Sequence, residues 1–277
     1  MSLAAKLPFR HPYAAGFPGL GSQPVPTDAD ALDYLDRMAA ADGASVEVGV
    51  ATAVDAFFRG LKATPGLFDA IKASCILCGA RTITGALVPL AGDAPSPEGG
   101  WASGDYSRTA GLTGDGNALY LDSNRSGDAD PKNDNHVCAY VTASASANSA
   151  VMGNGNSLDG LTQVIEDINN TSFFFRNNSS ASGSAFSPGT GLVGCTRSNA
   201  SNVSAIGNGS SGTLTIPSAA DDASNINIFA RRNSNLPQLH WDGTAAFYSI
   251  GTDIGAAGLT ALDTAVTNLI TAIGEAL

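Results

Sequence analysis

The sequence predicts a mainly β protein with helical additions, built around an antiparallel β-sandwich. Two observations lead to this prediction. From about residue 76 onward, short runs of β-forming residues are divided by Gly, Asn, Ser and Asp turns, without the strand-helix alternation of a parallel sheet. Two to three helical stretches precede these runs, and one follows them. We therefore expect an extended arm over 1–27, a helical lead-in over 28–75, and a sandwich with a C-terminal helix over 76–277.

The first 27 residues predict an extended arm. The segment holds five prolines and three glycines, a density that disfavours a regular helix or a central strand. Interleaved apolar side chains make the arm too apolar for a free tail, so we expect it to lie against its own domain or against a partner protein. The residues expected to dock on a partner are Phe9, Tyr13, Phe17 and Leu20.

Two helices and a short third turn are predicted for the lead-in. Asp28 or Asp30 can cap the first helix, which is expected to end near Gly43. The second helix is expected to stop at the Pro65 turn, and the third turn covers about 67–73. The apolar residues with helical spacing are Leu32, Leu35 and Met38 in the first helix and Val46, Val50, Val54, Phe57, Phe58 and Leu61 in the second.

The remaining chain predicts strands and one closing helix. The tail from Leu259 to Ile273 has the pattern of an amphipathic helix, which we expect to cover an end or a face of the sandwich and to be too short for a membrane span. The strand-forming segments read ARTITGALVPL, NALYLD, HVCAYVTAS, SFFFRNN, GLVGCTRS, GTLTIPS, INIFARR and AAFYSIG.

Charge and cysteine content disfavour several function classes. The net charge of -11 would repel a phosphate backbone, and no local cluster of Lys and Arg offsets it, so nucleic-acid binding is not expected. No continuous apolar run predicts a signal peptide or membrane insertion. The four cysteines are expected to be free and buried, because a chain of this length can build a core without disulfides.

One polar segment resembles a calcium-binding loop. Alternating Asp and Asn oxygens surround a glycine between residues 122 and 135, and calcium prefers six to eight such oxygen ligands. The spacing is not that of an EF-hand, and we favour a strand-connecting loop of Asx turns that needs no ion. We therefore expect no cofactor, and calcium is the alternative that stays open. The candidate metal ligands are Asp122, Asn124, Asp128 and Asp130.

Three aromatic residues are candidates for glycan binding. Trp101, Tyr106 and Trp241 lie in or beside predicted loops, where an aromatic face can stack on a sugar ring. The alternative is that each of them plugs the rim of the sandwich core. Catalysis is not expected, because the four glutamates are scattered singly and no pair of acids faces a glycosidic bond in the sequence pattern.

A family resemblance adds to this interpretation. The segments LFDAIKASCIL, GLTGDGNALYLDSN and AFYSIG, together with the closing helix LTALDTAVTNLITAI, resemble a family that is common in bacteriophage genomes. The resemblance spans about residues 43–277. It implies a helical lead-in followed by a concanavalin A-like jelly-roll domain, in virion, tail-fibre or uncharacterised structural proteins. It implies no set of catalytic residues.

Two functions follow as hypotheses. The preferred one is a non-enzymatic structural component of a phage virion, either a tail fibre, an appendage or a surface-decorating protein. It would dock on other virion proteins through the arm and expose the sandwich. The alternative is a lectin-like module that binds a host-surface glycan with or without calcium. We expect a homo-oligomer, a trimer by analogy with fibres, located in the virion after assembly in the host cytoplasm.

Overall fold

A computed structural model describes residues 25–155, 160–169, 171–233 and 236–277. The described chain forms three layers, in which helices cover the outer face of one β-sheet and a second sheet packs on its inner face. The predicted fold class, a mainly β antiparallel sandwich with helices before and after it, is confirmed. The expected docking residues Phe9, Tyr13, Phe17 and Leu20 lie outside the described residues.

The first helix begins and ends at the signals that the sequence carries. The Asp28 side chain accepts hydrogen bonds from the backbone N–H groups of Asp30 and Ala31, and Gly43 ends the first helix in a left-handed conformation with φ 64°. The described helices are α1 Ala29–Asp42, α2 Val48–Ala63, α3 Leu67–Ala70, α4 Ile83–Ala86 and α5 Gly255–Ala276, with a 3₁₀ turn at Ser103–Asp105.

A buried carboxylate fixes the start of the described chain on α2. Asp55 is 2% exposed, and its Oδ1 accepts hydrogen bonds from the backbone N–H groups of Thr27 and Asp28, both at 2.7 Å. Its Oδ2 pairs with Arg59 at 2.8 Å. The chain that leads out of the arm region is therefore held where α1 begins.

The first sheet has nine strands within the described residues. Its strands are β1 Ile71–Ile76, β2 Pro89–Ala91, β4 Tyr106–Ser107, β5 Gly111–Thr113, β7 Asn135–Ala143, β12 Gly191–Arg197, β13 Asn202–Gly207, β14 Ser210–Thr215 and β18 Thr244–Gly251. Their order in the sheet is β14-β13-β12-β7-β18-β1-β2, with β5 paired to β18 and β4 paired to β5. All of its pairings are antiparallel.

The first strand starts earlier than the expected domain boundary. β1 begins at Ile71, inside the segment 28–75 that the sequence assigned to the helical lead-in. Ile71 and Ile76 pack in the core beneath the helices, whereas Ala73 and Cys75 pack between the sheets. A central strand that is buried on both faces lacks the polar alternation by which a strand is recognised.

The second sheet also has nine strands within the described residues. Its order is β11-β10-β9-β8-β15-β6-β3, where the strands are β3 Ser96–Glu98, β6 Tyr120–Ser126, β8 Ser149–Asn154, β9 Leu161–Asp167, β10 Ser172–Ser179, β11 Gly183–Ala185 and β15 Asn225–Ile228. Two further strands, β16 Arg231–Asn233 and β17 Leu236–Gln238, pair with each other, and β16 bridges to β8.

Two apolar cores hold the three layers together. The helix core joins α1, α2 and α5 to the first sheet, whose contribution includes Leu192, Ile206 and Phe247. The sandwich core lies between the sheets and includes Phe175 and Tyr248. Burial of this apolar surface is the main stabilising term of the fold.

The C-terminal helix covers the outer face of the first sheet. A face of the sandwich was one of the two positions predicted for this helix. Its buried stripe consists of Leu259, Leu262, Val266, Leu269 and Ile273. The expectation that it is too short for a membrane span was wrong, because α5 has 22 residues and is long and apolar enough to cross a membrane by length and composition. In this fold its apolar stripe packs against the protein.

Candidate functional site

Trp241, one of the candidates for glycan binding, is not available to a glycan. Its side chain is 0% exposed, and its Nε1–H donates to Glu166 Oε2 at 2.8 Å. The indole also packs against Phe229, with ring centroids 5.6 Å apart. The alternative interpretation of a core plug is therefore the correct one for Trp241.

Tyr106 is half-buried in the wall between the two cores. Its hydroxyl donates to the carbonyl oxygen of Ala80 at 2.8 Å, and its ring packs against both core clusters. Burial raises the pKa of Tyr106 above its ordinary value, as expected for a phenol held away from water. Tyr106 therefore serves the packing of the wall and offers little face to a ligand.

Trp101 lines an open groove at one end of the sandwich. Its Nε1–H donates to the carbonyl oxygen of Tyr120 at 3.1 Å, and its ring meets Phe229 edge-on at 5.2 Å. The groove has a volume of about 640 Å³, and its lining is mostly apolar, including Ile83, Leu87, Val88, Pro95 and Pro97. A sugar site would require more polar side chains than this lining supplies.

The candidate calcium ligands already have protein partners. The Asp130 carboxylate accepts hydrogen bonds from Arg125 Nε at 2.9 Å and from Arg125 Nη2 at 2.5 Å. Asp128 accepts a hydrogen bond from the Ser126 hydroxyl at 2.6 Å. The Asn124 amide donates to the carbonyl oxygen of Ala94 at 2.8 Å.

Asp122 faces a different set of partners. It lies in β6 and accepts from Asn225 at 2.9 Å and from Arg232 at 2.8 Å. In the part of the chain that the structure describes, no group of three or more His, Cys, Asp or Glu side chains has the arrangement of a metal site. Calcium at Asp122 or Asp130 would have to displace an arginine, and the loop without an ion stays the prediction.

A row of polar residues crosses the second sheet on its outer face. The neighbouring row points into the sandwich core and consists of Leu121, Ile228, Met152, Val164 and Phe175, which lie opposite one another across β6, β15, β8, β9 and β10. On each of these strands, the residue directly before or after the core residue points to the opposite face, because side chains alternate along a strand. Together with Ser96 of β3 they form what we call the polar row, consisting of Ser96, Asp122, Asn227, Gly153, Gln163 and Arg176.

Two arginines from β16 reach the polar row. Arg231 donates through Nη1 to Gln163 Oε1 at 3.2 Å and through Nη2 to Gln238 Oε1 at 3.3 Å. Arg232 donates through Nη1 to Asp122 Oδ2 at 2.8 Å. The backbone of Arg231 pairs with Gly153, which places β16 beside the middle of the row.

Several polar atoms on this face have no partner within the described residues. Asn227 is 1% exposed, and its Oδ1 accepts no hydrogen bond. The Nε atoms of Arg176 and Arg231 are buried and likewise without partners. Each such atom costs about 1–3 kcal/mol when it is left unpaired. A ligand or bound water that pairs with these atoms would recover this free energy.

Aromatic rings flank the polar row at both ends. Tyr120 and His240 meet edge-on with ring centroids 5.9 Å apart, and Tyr120 lies two residues before Asp122 on the same strand face. At the other end, the Arg176 guanidinium lies over the Phe174 ring at 5.3 Å. The outer face therefore combines donors, acceptors and ring surfaces, which is the composition of a site for a polar, hydroxyl-rich ligand.

The sequence did not point to this face, although two signals are present in it. Within the strand segments SFFFRNN and INIFARR, the arginines Arg176, Arg231 and Arg232 interrupt apolar runs in a chain that has only 14 basic residues. A charge that alternates with apolar residues marks the outward side of a strand. The pairing of Gln163 with Arg176 and Arg231 depends on the strand order, which the sequence does not reveal.

Comparisons with known proteins identify the fold. No family model matches the chain, and no curated protein does. Similar solved structures include a mutant of Trypanosoma rangeli sialidase with trans-sialidase activity, at a TM-score of 0.51 and 11% identity, over 79% of this chain and 38% of that one. The binding domain of botulinum neurotoxin serotype D is similar at a TM-score of 0.50 and 10% identity, over 74% of this chain and 52% of that structure. The chain thus spans roughly two fifths and one half of these two structures, and the likeness shows the fold alone.

Proposed function

We propose that this protein is a non-enzymatic binding protein that holds a glycan on the outer face of its second sheet. The observation that supports the proposal is the polar row, where Arg231 and Arg232 meet Gln163 and Asp122 beside unpartnered polar atoms. Sugar hydroxyls require donors and acceptors in fixed positions, and strand-borne planar side chains supply both.

The rigidity of the row favours this role. Gln163 and Asn227 are 2% and 1% exposed, so their amide groups are held in one orientation before a ligand arrives. A site that is ordered in advance loses little conformational entropy on binding. Tyr120 and Phe174 add ring surfaces at the two ends, against which the apolar face of a sugar can pack.

A glycan array probed with the full chain tests this function. We expect the protein to bind specific oligosaccharides on the array. Arg232→Ala should weaken this binding by about tenfold, which is the usual effect of losing one hydrogen bond to a charged group. Lys72→Ala is the matched control, because it removes one positive charge from an exposed position on β1 in the other sheet. Retention of no glycan, or equal weakening by both variants, would contradict the proposal.

We further propose that the protein serves in a phage virion as a tail-fibre, appendage or surface-decorating component. The resemblance over residues 43–277 supports this assignment, and so does the Pro-rich, apolar segment over 1–27. That segment carries Lys6 and Arg10 and no acidic residue, in contrast to a chain with a net charge of -11. It would dock on other virion proteins, and the copies would form a closed homo-oligomer.

Deletion of residues 2–26 tests the docking role. The deletion ends before Thr27 and Asp28, whose backbone N–H groups are anchored on Asp55, so we expect the remaining domain to stay folded. The truncated protein should fail to join its particle, as seen by protein analysis of purified virions. Unimpaired incorporation of a folded truncated protein would refute the docking role and leave glycan binding to be judged by the array.

A further inference from the structure

Among the arginines of the described chain that are not fully buried, Arg176 and Arg231 lack an acidic partner. Arg197 is fully buried and donates to backbone carbonyls and to the Asn177 side chain. The remaining arginines each pair with a carboxylate, namely Arg37, Arg59, Arg81, Arg108, Arg125 and Arg232. In a protein with 25 acidic and 14 basic residues, two arginines that face no acid form a local excess of positive charge.

The two arginines lie next to each other on the outer face. Arg176 pairs directly with Gln163 in the strand register between β10 and β9. Arg231 donates to the Gln163 side chain from β16. Gln163 is therefore a direct neighbour of both arginines, and its neutral amide cannot compensate their charge.

The hydrogen-bonding capacity of both groups is largely unused. The Arg176 guanidinium contacts the Phe174 ring, and it donates no hydrogen bond to any residue that the structure describes. Arg231 bonds to two glutamine oxygens, and its Nε–H has no partner. A guanidinium carries five N–H donors, so the pair presents several free donors at one place.

The surroundings of both guanidinium groups disfavour their charged forms. Burial lowers the pKa of Arg176, and the charge of Arg231 lowers it further. Burial also lowers the pKa of Arg231. Two like charges held together in partial burial are stabilised by an anion that lies between them.

We propose that Arg176 and Arg231 form a subsite for the oxyanion of an acidic sugar, either a carboxylate or a sulfate, within the glycan-binding face. The inference rests on the proposed glycan function and specifies its substrate class. Guanidinium forks match the geometry of such oxyanions and bind them through paired hydrogen bonds. Asn227 Oδ1, a buried acceptor without a partner within the described residues, lies in the same row.

An array of acidic oligosaccharides and their matched neutral forms tests the subsite. It carries uronic-acid oligosaccharides, their methyl esters, and sulfated oligosaccharides with their desulfated counterparts, all probed with the full chain. We expect acidic forms to bind at least about tenfold more tightly than the neutral forms, because each lost bond to a charged group has that effect. The carboxylate and sulfate arms identify which oxyanion is preferred.

Variants connect this preference to the two arginines. We expect Arg176→Gln and Arg231→Gln each to abolish the preference for the acidic form, whereas Lys72→Gln removes the same charge elsewhere and should leave it unchanged. Arg176→Lys should recover only part of it, since lysine keeps the charge but lacks the fork. Thermal melting of each variant verifies folding. If a variant fails to fold, the esterified and desulfated ligands still measure the same preference on the unaltered protein.

The outcomes separate this inference from the proposed function. Binding of acidic sugars that depends on both arginines supports the two together. Binding of neutral and acidic forms with equal affinity overturns the oxyanion subsite and leaves glycan binding intact. Absence of binding to every glycan overturns both. Acidic preference that survives both arginine variants shows that the oxyanion lies elsewhere, which also overturns the subsite.

Discussion

Acidification should destabilise this protein well above the pH at which its carboxylates titrate, because of one buried histidine. His136 is 0% exposed in β7, with Nδ1 2.6 Å from the carbonyl oxygen of Thr252 and Nε2 2.7 Å from the Ser249 hydroxyl. A carbonyl oxygen only accepts, so Nδ1 carries the proton, and neutral Nε2 accepts from Ser249. Protonation of Nε2 would break this arrangement and place a charge in the interior.

The size of the effect follows from the pKa of this imidazole. Burial lowers the pKa of His136 to about 4, although the Thr252 carbonyl and the carboxylates of Asp130 and Asp253 oppose the shift. In the unfolded chain its pKa is near 6.5. The unfolded state therefore binds more protons between pH 6.5 and 4, so stability is complete above this window and is lost as the pH falls through it. A difference of about 2.5 units corresponds to roughly 3 kcal/mol.

Urea unfolding at intervals from pH 7.5 to 4 measures this loss. We expect the free energy of unfolding to fall by about 1.4 kcal/mol per pH unit in the middle of the window, and His136→Gln to flatten the curve. Carboxylates with a lowered folded pKa, such as those of Asp28, Glu47 and Asp242, lose their contribution only at lower pH. A curve that is flat down to pH 4.5 in the unaltered protein would refute the reasoning.

Three further predictions concern the core, the thiols and the calcium segment. Trp241→Phe should lower the free energy of unfolding by about 2–4 kcal/mol, because it removes both packing volume and the hydrogen bond to the buried Glu166. Urea unfolding measures this loss, and a loss below about 1 kcal/mol would contradict the prediction. The four cysteines are buried, and burial raises the pKa of Cys75 and Cys78 to about 12. A thiol reagent at pH 8 should therefore label none of the four until urea unfolds the protein, whereas rapid labelling without urea would show exposed thiols. Millimolar calcium should leave the melting temperature unchanged, because Arg125 and Arg232 occupy Asp130 and Asp122; a saturable rise that a chelator reverses would instead support the calcium loop.

The elements that local signals specify were predictable from the sequence. Asp28 and Gly43 bound α1 because an N-cap side chain and a left-handed glycine act within a few residues of the helix end. The stripe of α5 was predictable for the same reason, since its spacing is that of a single helix. In contrast, β1 was assigned to the lead-in because burial on both faces removed its alternation.

The choice of Trp241 as a glycan-binding candidate had a local cause. Its neighbours His240, Asp242 and Gly243 are typical of an exposed loop, where a ring can lie at the surface. In the structure the indole lies directly over Gly243, where an added Cβ would come within 2.2 Å of the ring. The glycine thus provides the room for the ring to turn inward, and Glu166, distant in sequence, supplies the acceptor.

The polar row was beyond the reach of sequence reasoning because its members come from six strands. Consecutive neighbours in the row, such as Asp122, Asn227 and Gly153, are separated by dozens of residues and are brought together only by strand order and register. Ser96, Asp122, Gly153 and Asn227 are residue types that are also common in turns, so none of them alone marks a site. Their shared function as a face becomes visible only when the pairing is known.

The layering of the fold explains why a binding face would lie on the second sheet. The inner faces of both sheets form the sandwich core, and the helices cover the outer face of the first sheet. The described helices do not cover the outer face of the second sheet, and Arg176 and Arg231 are only partly buried there, so these two side chains are freer from the packing demands that fix Phe247 or Leu262. Changes at Arg176 or Arg231 should therefore alter ligand preference with little loss of stability, whereas changes in the helix core should do the reverse.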